Sequence, residues 1–192
     1  MNDIFWNEAW NTWKEDWSQH GASPDQARIV QYLKDVPDHT SKNLLHVGTG
    51  DSSLAVELRD FKIIDGVTVL DTEIQKATYI KTLNKLWHYN VYLCNKHTYN
   101  FLLLPNKYDY IVDNGIFTFT DCFICAHNTL LFFYHLLNQN GMILTDTKGL
   151  MFCKSISVNL LKRYLVEHQI YLEVCEFGNI SGEHVVGLRK IA

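Results

Sequence analysis

The chain has 192 residues, room for one domain of ordinary size with a small appendage and not for two full domains. Hydrophobic residues make up 47% and charged residues 20%, with only 10 glycines and 3 prolines, which excludes the disordered and low-complexity classes. A count of 17 Lys and Arg against 21 Asp and Glu gives a net charge of -4, so the chain as a whole carries no electrostatic footprint for duplex nucleic acid.

The five cysteines are odd in number, and the first residues lack a basic segment followed by an apolar one. Reduced thiols and a cytoplasmic protein are the expectation. From Cys122 to Thr145 there is no charged residue, yet His127, Asn128, His135, Asn138, Gln139 and Asn140 interrupt the run too often for a membrane span. That segment reads as a buried helix followed by a strand, and no membrane partner is expected.

In chain order, Trp6, Trp10, Trp13 and Trp17 recur at steps of four, three and four, which places all four indoles on one narrow helical face. Such a face has three uses open to it: walling a substrate site, forming a homodimer contact, or sealing an open sheet. Ser23 as N-cap and Pro24 in the first turn then start a second helix that runs to about Asp35. Together these two helices form an N-terminal helical cap over residues 1–40, with the main domain over 41–192.

From Asn43 onward, short apolar runs alternate with helical windows. Strands are expected at Leu44 to Val47, Val67 to Leu70, Val91 to Leu93, Tyr110 to Val112 and Met142 to Leu144. Helices are expected at Ser53 to Asp60, Glu73 to Trp87, Cys122 to Asn138 and Ser155 to His168. This alternation predicts right-handed βαβ units, hence a mostly parallel sheet between two layers of helices. Ile170 to Phe177 and His184 to Ile191, flanking Gly178 to Gly182, read as an antiparallel hairpin that closes the sheet.

The segment Leu44-Leu45-His46-Val47-Gly48-Thr49-Gly50-Asp51-Ser52-Ser53 is a strand running into a Gly-x-Gly turn that opens a helix. Glycines there permit a tight turn and the approach of a ligand to bare backbone, and the amides of the helix start favour an anionic group. A purely structural turn is equally compatible with Gly-x-Gly alone. Asp71, about twenty residues on and read as closing the second strand, adds a carboxylate placed to accept hydrogen bonds from ribose hydroxyls. The dinucleotide fingerprint fails, because Ser53 stands where its third glycine belongs, and NAD is disfavoured.

With these motifs the sequence resembles the class I S-adenosylmethionine-dependent methyltransferases over about 150 residues, from Asn43 to the C-terminus. Gly48-Thr49-Gly50, Asp71, Tyr108-Asp109-Tyr110-Ile111-Val112, Asn140-Gly141-Met142-Ile143-Leu144 and the terminal hairpin fall in the family's order. The resemblance implies a three-layer, Rossmann-like, seven-stranded sheet and S-adenosylmethionine as cofactor. It also implies that the glycine turn receives the methionine end, Asp71 the ribose, and Asn95 or Lys96 the adenine. The candidate cofactor-binding residues are therefore His46, Gly48, Thr49, Gly50, Ser52, Asp71 and Asn95. His46 departs from the family's acid two residues before the first glycine, and Asn95 from its usual Asp.

Parallel sheets place chemistry beyond the carboxyl ends of their strands, which selects Asp113 and Asn114 as catalytic candidates, together with Asp146 and Lys148. Asp113 would orient or deprotonate an acceptor hydroxyl or amine; its bland alternative is a cap on Gly115. The pair Asp113 and Asp146 partly resembles the metal-dependent catechol-type enzymes, but Thr147 replaces the Asn that follows the second acid there, and no metal is expected. The run from Cys122 to His127 has soft ligands at short spacing but no second Cys pair, so it reads as helix packing and not a zinc site. An Asn-Pro-Pro-Tyr-type motif is absent after the fourth strand, which argues against a nucleic-acid acceptor. The reading that results is an S-adenosylmethionine-dependent methyltransferase for a small molecule, accepting through O or N. Its rival is a non-catalytic nucleoside-binding or partner-binding module that kept the fold.

Overall fold

The structure is a computed structural model and describes residues 17–117, 123–151, 157–180 and 183–191. Seven strands form one sheet: β1 (Asn43–Val47), β2 (Ile63–Thr68), β3 (Tyr89–Leu93), β4 (Tyr108–Asp113), β5 (Leu137–Asp146), β6 (Leu172–Ile180) and β7 (Glu183–Lys190). Their spatial order is β3-β2-β1-β4-β5-β7-β6. The first five strands pair in parallel, and β7 inserts antiparallel between β5 and β6. This is the expected mostly parallel sheet with its C-terminal antiparallel hairpin.

Both faces of the sheet are covered, so its central strands are apolar on both sides. On one face, α1 (Pro24–Lys34), α2 (Ser53–Glu57) and α3 (Asp71–Asn84) pack Ile29, Leu33, Leu54 and Ala77 against Leu44, Ile64, Val112, Leu144 and Val185. On the other, α4 (Phe123–Leu136) and α6 (Val158–Glu167) pack Leu130, Phe133, Leu136, Leu161 and Leu165 against Leu45, Ile111, Ile143 and Val186. Between these two helices lies α5 (Thr147–Met151), a short turn beyond β5. No helix among the described residues is long and apolar enough to cross a membrane.

α1 starts as the sequence predicts. The Ser23 hydroxyl accepts from the Gln26 N–H at 3.2 Å, and Pro24 occupies the first turn, where its missing N–H costs nothing. The boundary drawn near residue 40 separates α1 from the sheet in sequence only; in space, Ile29 and Leu33 are wholly buried in the common core. Trp6, Trp10 and Trp13 lie outside the described residues.

Several boundaries differ from expectation, and two of these differences are instructive. β2 begins at Ile63 and ends at Thr68, so Asp71 does not close the strand but opens α3. The reason lies in Asp65 and Gly66, residues that ordinarily break strands and hide this one. Asp65 is wholly buried and accepts from Tyr108 Oη at 2.8 Å, Asn106 Nδ2 at 2.7 Å and Asn90 Nδ2 at 3.1 Å, which offsets the cost of burying a carboxylate. Burial beside this carboxylate pushes the Tyr108 phenol above its ordinary pKa. The second difference is at β5, which takes over from α4 directly at Leu137 because that residue pairs with Tyr108 at the start of β4.

Gly66 has a steric task. A side chain there would stand 2.4 Å from Thr49 Cγ2 and 3.2 Å from Val91 Cγ2, so the bare backbone makes room for the residue between the two turn glycines. Gly66→Ala is therefore expected to cost about 1 to 3 kcal/mol of stability in urea unfolding, with a clear part recovered in a Gly66→Ala/Thr49→Ser double variant that removes the clashing methyl. Equal losses in both backgrounds would show that Thr49 is not what Gly66 accommodates.

Candidate functional site

The carboxyl ends of β3, β2, β1 and β4 lie side by side along one edge of the sheet, and the side chains there fall into three groups: the glycine turn, the head of α3, and the turns that follow β3 and β4.

The turn leaves β1 through Gly48 at φ 79° and Gly50 at φ 50°, conformations that favour glycine, and Ser52 follows at φ 64°. A Cβ at Gly48 would meet nothing within 4 Å, so the backbone there faces open space. At Gly50 a side chain would stand 3.4 Å from the Trp17 Cβ. Trp17 belongs to a short 3-10 turn (Trp17–Gln19) that packs on α3, and its ring lies 5.0 Å from that of His20. The described end of the tryptophan series thus rests on the glycine turn. Asp51 Oδ1 accepts from the Ser53 N–H at 3.0 Å and starts α2.

Two of the sequence candidates in this turn point inward. Ser52 is wholly buried and its hydroxyl accepts from Tyr89 Oη at 2.9 Å; burial raises the pKa of that phenol. Thr49, 1% exposed, turns its hydroxyl to Glu73 Oε2 at 3.4 Å. Both shape the loop from beneath. His46, in the strand two residues before Gly48, is 2% exposed, and its Nδ1 is buried without a hydrogen-bond partner. Burial pushes the imidazole pKa down to about 4, against a smaller opposing pull from Asp51, so the ring is neutral near pH 7.

At the head of α3, Asp71 is exposed in the first turn, where the helix dipole favours a carboxylate. Glu73, two residues on, is buried and accepts from the Thr68 hydroxyl as well as from Thr49. Sequence reading passed over Glu73; the available signal was Leu70 at the N-cap, a residue with no side-chain acceptor to start a helix.

Beyond β3, Asn95 Oδ1 accepts from the His97 N–H at 2.9 Å and so closes the turn after the strand. Beyond β4, Asp113 is 3% exposed and both its oxygens are engaged: Oδ1 accepts from the Gly115 N–H at 2.9 Å and Oδ2 from Lys96 Nζ at 2.7 Å. Lys96 Nζ also donates to the Gly115 carbonyl. The cap on Gly115 is therefore present, and Lys96 joins it. Asn114 Nδ2 lies 3.5 Å from the Ser23 hydroxyl, while its Oδ1 is buried without a partner. Asp146 at the end of β5 is wholly buried, accepting from Arg28 Nη2 and from the Gly149 N–H, each at 2.8 Å. It faces α1, on the opposite side of the sheet from Asp113. The Lys148 side chain is not among those described.

Cys122 lies outside the described residues, and His127 Nδ1 lies 3.1 Å from Tyr164 Oη on the far face of α4. Among the described residues no group of three or more His, Cys, Asp or Glu side chains is placed to hold a metal ion.

No protein-family model matches the chain, nor does any curated protein. Solved structures do match. N-methyltransferase NodS from Bradyrhizobium japonicum WM9, in complex with S-adenosyl-l-homocysteine, is 13% identical at a TM-score of 0.64, covering 98% of this chain and 97% of that one. An O-methyltransferase family protein from Burkholderia thailandensis is 11% identical at a TM-score of 0.64, over 87% of this chain and 56% of that one. The ribosomal protein L11 methylase from Lactobacillus delbrueckii subsp. bulgaricus is 12% identical at 0.64, over 90% and 81%. The chain has the class I methyltransferase fold, which its strand order and terminal hairpin also define.

His46 generates a test. Its folded pKa lies below the unfolded value of about 6.5, so between pH 6.5 and about 4 the unfolded chain binds the extra proton. Its contribution is complete above pH 6.5 and is lost at up to about 1.4 kcal/mol per pH unit as the pH falls toward 4. As the pH falls from 6.5 toward 4, the urea midpoint of the parent should drop relative to that of His46→Gln, while above pH 6.5 their difference should stay constant. A difference independent of pH would mean that the ring is not held neutral.

Proposed function

We propose that the chain is an S-adenosylmethionine-dependent methyltransferase for a small-molecule acceptor, transferring to oxygen or nitrogen. The observation that carries this reading is the turn at the end of the central strand. Gly48 and Gly50, both at positive φ, leave bare backbone at Gly48, with Asp71 exposed at the head of α3, at the sheet end where open α/β folds bind ligands.

The residues fit such a cofactor. The backbone from Gly48 to Gly50 would hold its methionine end, Asp71 its ribose hydroxyls and the turn at Asn95 its adenine. His46 Nδ1, buried without a protein partner, stands where the family has an acid for the ammonium, and offers a neutral nitrogen there. Thr49 and Ser52 serve through backbone, since their side chains are turned into the core. When bound, S-adenosylmethionine supplies an electrophilic methyl on a sulfonium. The protein's part is then alignment of the acceptor, with water excluded. To Asn114 Oδ1, buried and without a protein partner beside Asp113, we assign the acceptance of a hydrogen bond from the substrate's hydroxyl or amine. Asp113, tied to Lys96 and the Gly115 N–H, orients that turn and does not act as a free base. Lys96 and Arg28 already supply Asp113 and Asp146 with cations, which supports a mechanism without a metal on those carboxylates. Trp17 against Gly50 supports a cleft partly closed by the N-terminal segment, suited to a compact acceptor.

The rival reading, a nucleoside-binding module without transfer, draws on the neutral His46 and on the double engagement of Asp113. Calorimetry decides the shared part: S-adenosylmethionine and S-adenosylhomocysteine bind, NAD does not, and Asp71→Ala weakens binding by roughly 1 to 3 kcal/mol through loss of a charged acceptor. Binding of NAD with no response to either sulfur nucleoside would overturn the reading. Transfer of a labelled methyl to a small-molecule pool, against none, then separates enzyme from module.

A further inference from the structure

We propose that Glu73 is the positioning residue of the nucleoside site, fixing the glycine turn and Asp71 relative to each other through one carboxylate oxygen. The inference rests on the reading of the cleft as a cofactor site.

The head of α3 lacks an ordinary cap. Leu70 occupies the N-cap and has no side chain to accept from the helix, while Glu73 sits at the third helical position, where a carboxylate commonly reaches back to the N-cap N–H. Here the reach is relayed. The Leu70 N–H donates to Thr68 Oγ1 at 3.2 Å, and the Thr68 hydroxyl donates to Glu73 Oε2. A hydroxyl that accepts and donates at once polarises both bonds, and the three groups pin the start of α3 to the end of β2. Asp71 lies inside that pinned turn.

The same Oε2 receives the Thr49 hydroxyl at 3.4 Å. Thr49 is the one residue of the turn flanked on both sides by glycine, and Gly48 and Gly50 place no side chain that could anchor the backbone. Its methyl rests over Gly66 and its hydroxyl on Glu73, so these two contacts set where the turn's amides point. Glu73, Thr68 and Thr49 are 3%, 5% and 1% exposed, so water does not replace a donor that is lost there. Glu73 touches no ligand position itself; it couples two backbone segments that have to meet a single molecule.

Calorimetry on the full chain tests this with S-adenosylhomocysteine and with adenosine, which spans only the Asp71 side. Thr49→Val keeps the methyl over Gly66 and deletes the donor. It should weaken S-adenosylhomocysteine by about tenfold, the worth of one buried hydrogen bond to a carboxylate, while adenosine shifts by less than about twofold. Thr49→Ser, which loses the methyl but keeps the donor, should lose distinctly less S-adenosylhomocysteine affinity than Thr49→Val. Thr49→Val and Glu73→Gln combined should lose less than the product of their separate effects, because they interrupt the same contact. A parent that does not bind S-adenosylhomocysteine removes the reading of the cleft. A parent that binds, with Thr49→Val unchanged, with equal losses for both ligands, or with fully multiplicative losses in the double variant, overturns the role of Glu73 alone.

Discussion

The reversal of the chain between Gly48 and Ser52 depends on a bare stretch of the neighbouring strand. β1 runs between β2 and β4, and whatever follows it must turn sharply above a sheet that is packed on both faces. The turn fits because Thr49 lowers its methyl onto Gly66, where any side chain would collide. The cleft's other features follow from that seat. With Thr49 down, the backbone at Gly48 is left facing open space, the Thr49 hydroxyl reaches the head of α3, and His46 is enclosed beneath the turn with an unsatisfied nitrogen.

Charge at the strand ends follows the same economy of partners. Asp113 and Asp146 end neighbouring strands, yet each has its own cation and its own backbone N–H, an arrangement that makes burial of two carboxylates tolerable and specifies the turns they hold. Asp71, by contrast, stands in solvent at a helix N-terminus, where the aligned peptide dipoles favour it without any side-chain partner. The buried, compensated carboxylates hold turns in place, and Asp71 is left exposed.

The alternation of apolar runs and helical windows was sufficient for the layers, the parallel core and the terminal hairpin, because a strand buried on both faces has to be apolar throughout. It failed at β2, where Asp65 and Gly66 interrupt the run. Their presence makes sense only in three dimensions: Asp65 is satisfied by Asn90, Asn106 and Tyr108, which lie 25, 41 and 43 residues away, and Gly66 answers to Thr49. The start of α3 was misplaced for the same reason, since its cap is assembled from Thr68 and Glu73 and not from the residue at the N-cap.

By itself, the sequence determined the glycine turn, because positive φ at Gly48 and Gly50 is a requirement on residue type. It also determined the start of α1, where Ser23 and Pro24 act on their own neighbours. Only the tertiary structure decided which polar side chains face the cleft. Thr49 and Ser52 turn inward, Asp113 is claimed by Lys96, and Glu73 joins two segments, because each orientation is set by a partner distant in the chain that no local pattern encodes.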